Sequence, residues 1–84
     1  MKGAGYLVNY IQLYTDVLNE YNYEGQPTWE NVSELFLDIV DSGRFRDVDN
    51  DEAMDMVKDP SPKEQVNICL NLMPIGYRAP KEES

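Results

Sequence analysis

One cysteine and no histidine in 84 residues most constrain what this chain can fold into. Small domains without a sufficient core are usually held by disulfides or a structural metal. Cys69 has no partner for a disulfide, and neither a histidine-bearing nor a four-cysteine zinc site can be assembled. The fold must therefore rest on apolar side chains packed by regular secondary structure. With 42% hydrophobic residues, the supply is ordinary for a folded domain. A chain of this length buries roughly 60–65% of the surface its unfolded form exposes. In Asn67-Ile68-Cys69-Leu70 the cysteine reads as a small buried hydrophobe, with no activating base or cation beside it.

The apolar spacing is helical. Leu7, Ile11, Tyr14, Leu18 and Tyr21 recur at steps of three and four, which predicts a first helix from about Gly5 to Tyr23. At about 100° per residue its apolar side chains, from Leu13 round to Ile11, fill an arc of about 160°. Residues 22–28, with Gly25 and Pro27, read as a loop. Thr28 is a good N-cap for a second helix, and Glu30 lies in its first turn, where the macrodipole favours an anion. The buried stripe is Trp29, Val32, Leu35, Phe36, Ile39 and Val40, and Gly43 suits a left-handed residue just past the end. A short third helix, about Asn50 to Lys58, presents Ala53, Met54 and Val57 to the core before Pro60 stops it.

Ser61-Pro62-Lys63-Glu64 combines a capping serine, proline at the first helical position and glutamate at the third. Val66, Ile68, Leu70 and Leu72 alternate like a strand, but the capping signal selects a fourth helix. From Pro74 onward there is no period, so 74–84 read as a frayed tail to an ordered core of about residues 5–73. The expected fold is all-α: one compact domain of three or four helices, with the first two an antiparallel pair.

Most chemistry is excluded by composition. Without histidine there is no Ser-His-Asp or Cys-His site. Gly3 and Gly5 follow no strand, so there is no phosphate loop, and paired carboxylates would need a deep cleft that a bundle this small rarely builds. Asp47, Asp49 and Asp51 match the first ligands of a calcium loop, but Glu52 replaces its glycine and Lys58 its bidentate glutamate. Acyl carrier proteins are similar in size and charge, yet their prosthetic-group serine opens a helix, whereas Asp41-Ser42-Gly43 closes one. No cofactor, metal or enzymatic activity is expected. No apolar run is long enough for a membrane span, and no signal-peptide core follows Met1, so the expected location is cytoplasmic.

Charge is the informative feature. The net charge is −9, and the stretch from Asp16 to Asp59 holds thirteen acidic and three basic residues, a local net of −10. Such a field opposes direct binding to nucleic acid or an anionic membrane and favours a protein with a basic surface. Glu30, Glu34, Asp38 and Asp41 fall within about 80° on the second helix, opposite the apolar stripe. Asp51 and Asp55 continue the pattern on the third. Like charges four apart destabilise a helix by about 0.2–0.5 kcal/mol per pair, and anions in the last turn oppose the macrodipole. Selection for folding alone would place lysines among them.

Carboxylates four apart rise about 6 Å along a helix, comparable to the separation of phosphates along one strand of duplex. The expected function is an acidic protein-binding module, either a generic acidic adaptor or a nucleic-acid-like inhibitor that occupies a partner's basic groove. In size and charge, though in no motif, the chain is similar in type to small phage-encoded inhibitors of host defence or transcription. The alternative is a small assembly subunit, or a homo-oligomer, docking through the tyrosines of the first helix, Tyr6 and Tyr10 foremost. Arg44-Phe45-Arg46, the one basic cluster, offsets the C-terminal end of the second helix.

Overall fold

Each of the four helices starts where a side chain can satisfy its free backbone N–H groups. The computed structural model describes residues 8–81 and contains α1 (Tyr10–Glu20), α2 (Trp29–Asp41), α3 (Asn50–Lys58) and α4 (Pro62–Leu72). Asn9 Oδ1 accepts the Gln12 N–H at 3.1 Å, Thr28 Oγ1 that of Asn31 at 3.2 Å, and Asp49 Oδ1 that of Glu52 at 2.8 Å. Ser61 and Glu64 form a reciprocal capping box, at 3.3 Å in one direction and 3.2 Å in the other, with Pro62 at the first helical position. Gly43 follows α2 with φ +87°, the left-handed conformation glycine adopts without strain. Asp59, kept out of the helical region ahead of Pro60 at φ −156° and ψ 60°, ends α3.

The fold is a small all-α bundle in which α2 packs against each of the other three helices. Leu13, Val17 and Leu18 of α1 meet Val32, Phe36 and Val40 of α2, with Ala53 from α3 and Ile68, Cys69 and Leu72 from α4. The alternation in 66–72 resolves as a helix. Ile68, Cys69 and Leu72 turn inward at helical spacing, while Leu70 is left on the surface.

Four expectations need correction. First, α1 begins at Tyr10, because Asn9 caps it; residues 5–7 of the expected helix lie outside the described residues. Second, Ile11 is 62% exposed, since the buried set Leu13, Tyr14, Val17 and Leu18 leaves it at the margin of the apolar arc. Third, Met54 is 58% exposed: it is rotated about 100° from Ala53, while Met56 and Val57 pack against the core. Trp29 is half-buried, with its ring 6.0 Å from Tyr14 and its Nε1–H donating to the Val57 carbonyl at 3.3 Å.

Fourth, residues 74–81 lie along the helices although they form no helix themselves. Tyr77 donates its hydroxyl proton to Asp16 at 2.7 Å, Asn9 N–H donates to the Pro80 carbonyl at 2.9 Å, and Val8 forms an antiparallel bridge with Lys81. Tyr77 and Ala79 are half-buried against the core. Residues 82–84 lie outside the described residues. Among the described residues, no helix is long and apolar enough to cross a membrane.

Candidate functional site

Among the described residues, α2 and α3 carry exposed carboxylates on adjoining helices. Because Val32, Leu35, Phe36, Ile39 and Val40 bury one side of α2, Glu30, Glu34, Asp38 and Asp41 are exposed on the other. Asp51 and Asp55 are exposed on α3, which packs beside α2. Asn50, the first residue of α3, donates to Asp41, the last of α2, at 3.2 Å, so the two acidic helices are tied at their junction. Tyr23 donates to Glu34 at 2.8 Å, and that bond raises the tyrosine hydroxyl above its ordinary range. Six carboxylates named from the sequence are therefore at the surface of two adjoining helices.

Between these helices lies a shallow groove of about 260 Å³, lined by Leu37, Asp38, Asp41, Asn50 and Met54. Sequence reasoning missed Leu37, Asn50 and Met54. Leu37 stands at the edge of the α2 stripe, about 100° from Phe36, and is half-buried. Its position and that of Met54 depend on how α2 and α3 pack, which periodicity within either helix does not reveal.

The tyrosines are placed otherwise. Tyr6 lies outside the described residues. Tyr10 is half-buried, its ring 6.1 Å from that of Tyr14, and Tyr14 is buried with its hydroxyl donating to Gln65 at 2.7 Å. Tyr21 donates to the Leu72 carbonyl at the end of α4 and accepts from Arg44 at 2.7 Å. Arg44 also stacks over the rings of Tyr21 and Phe45, at 5.4 and 5.9 Å. The tyrosine side of α1 is largely a boundary layer that joins α1 to α4.

Cys69 is buried, and the acidic loop before α3 is partly taken up in capping that helix. Burial pushes the Cys69 thiol up to about 12, which keeps it protonated and poorly nucleophilic. Asp49 is committed to capping α3, and Asp51 lies in that helix's first turn. Among the described residues, no group of three or more cysteine, aspartate or glutamate side chains is arranged to hold a metal. Comparisons with protein families, curated proteins and solved structures give no match.

Proposed function

We propose that the chain is an acidic docking module whose α2–α3 face occupies a basic surface on a partner protein, one that otherwise binds nucleic acid. The observation that carries this reading is the exposure of Glu30, Glu34, Asp38 and Asp41 together on one capped helix. The arrangement works against helix stability through like-charge repulsion and an unfavourable macrodipole, and a binding role supplies the compensating advantage. Presented along one helix, Glu30, Glu34 and Asp38 offer a row of anions at about 6 Å steps, with Asp41 about 4.5 Å beyond. Electrostatic complementarity of this kind steers encounter and fixes register.

Docking through α1 is the second reading, favoured by the exposed Ile11 beside Tyr10. Against it, the hydroxyls of Tyr14 and Tyr21 are committed within the chain.

Immobilised wild type, a variant carrying Glu30→Gln, Glu34→Gln, Asp38→Asn and Asp41→Asn, and a Tyr10→Ser variant are incubated with lysate of the source cell. Captured proteins are identified by mass spectrometry and eluted across a salt gradient. The proposal expects a basic protein that is held by wild type and Tyr10→Ser, released by rising salt, and lost from the four-amide variant. Retention by the four-amide variant with loss from Tyr10→Ser would transfer the function to α1.

A further inference from the structure

Met54 is the exposed apolar side chain of the acidic face. It points away from the core that takes up Met56 and Val57, and with half-buried Leu37 it lines the groove between α2 and α3. At this position a lysine would relieve the local excess of negative charge and leave the core untouched. Instead the sequence keeps a flexible, polarisable side chain, a residue type enriched at binding surfaces.

The groove has the anatomy of a small interface centre. Leu37 and Met54 supply its apolar lining, Asp38 and Asp41 supply carboxylates at its rim, and Asn50 donates a hydrogen bond to Asp41. Apolar side chains beside charged ones are a combination that interfaces use. At about 260 Å³ the groove is smaller than the roughly 300–1,000 Å³ of sites that enclose a small molecule. It has room for a single side chain presented by a macromolecule. Charge complementarity decides what flanks that side chain, because carboxylates on the rim select lysine or arginine.

We infer that the α2–α3 groove receives one apolar side chain of a lysine- or arginine-rich partner segment, with Leu37 and Met54 as its seat and Asp38 and Asp41 pairing with the flanking cations. The inference rests on the docking reading above and adds to it a short-range, salt-insensitive component.

Two synthetic peptides separate the two ideas: one with several lysines flanking a single leucine, and its twin with serine in place of leucine. Their affinities are measured by fluorescence anisotropy at low and physiological salt. The proteins are wild type, Met54→Ser and the double variant Asp38→Asn, Asp41→Asn. Circular dichroism controls for folding, which Met54→Ser should leave unchanged because the side chain is exposed. On wild type the leucine peptide should bind about tenfold more tightly than the serine peptide. Met54→Ser should erase that ratio and leave the serine peptide's affinity alone, and the Met54 methyl resonance should shift only with the leucine peptide.

Equal binding of the two peptides to wild type, or a leucine preference that survives Met54→Ser, would overturn the groove as a seat. The charge-based docking reading would still stand if the double variant weakened both peptides. Failure of both peptides to bind wild type at low salt would overturn both.

Discussion

Neutralising the last-turn acids of α2 should stabilise the fold while weakening its proposed function. Asp38 and Asp41 occupy the C-terminal turn of α2, where the carbonyls of Asp38, Ile39 and Val40 converge on the N–H groups of Ser42 and Gly43. Replacing both by asparagine removes two like-charge pairs, Glu34–Asp38 and Asp38–Asp41, at about 0.2–0.5 kcal/mol each. It also removes two unfavourable macrodipole contacts, at about 0.3–1 kcal/mol each at low ionic strength. Discounted for solvent screening of exposed groups, the gain is about 1 kcal/mol. The Asn50 bond survives, since asparagine at 41 still offers a carbonyl oxygen. For a domain of this size, that gain raises Tm by about 4–8 °C. The assay is calorimetry of wild type and the double variant at low salt and again at high salt, where screening should shrink the difference. An unchanged or lower Tm at low salt would refute the reasoning. It would mean that these carboxylates are held by stabilising contacts within the fold.

Three further outcomes follow from the same structure. Ser61→Ala should cost about 1 kcal/mol in urea unfolding by opening the capping box of α4; no change would mean that the box does not hold the helix. Tyr77→Phe should cost about 1 kcal/mol and speed amide exchange at Asn9, whose N–H bonds Pro80; unaltered exchange would show that Tyr77 is not what holds residues 74–81. Burial pushes both Cys69 and Tyr14 up to about 12, Tyr14 being raised further by Cys69 and Tyr10. Their neutral forms are favoured by folding, so this stability is complete below about pH 9 and falls as pH rises through about 12. The urea midpoint should therefore decline across that window, and a flat profile would contradict it.

Helix ends with a local chemical signal were legible in the sequence. Thr28 and Gly43 bounded α2, and the Ser61–Glu64 box outweighed the strand-like alternation of Val66–Leu72 because capping acts within one turn. Where the decisive partner lies far along the chain, the sequence is silent. The contacts of Tyr14 with Gln65, Tyr21 with Leu72 and Tyr77 with Asp16 span more than fifty residues, and they turn an apparent tyrosine face and an apparent tail into packed structure. The outward position of the acids followed from their opposition to the apolar stripe. The groove beside them did not, since Leu37 and Met54 share it only through the packing of α3 on α2.

Occupation of a nucleic-acid-binding surface is tested most directly by competition. A labelled DNA duplex is bound to the captured partner, and the chain is titrated in while anisotropy reports release of the duplex. The docking account predicts displacement by wild type, weaker displacement as salt rises, and none by the variant with Glu30, Glu34, Asp38 and Asp41 changed to their amides. A partner that holds the chain and the duplex together, or displacement undiminished in the four-amide variant, would contradict it.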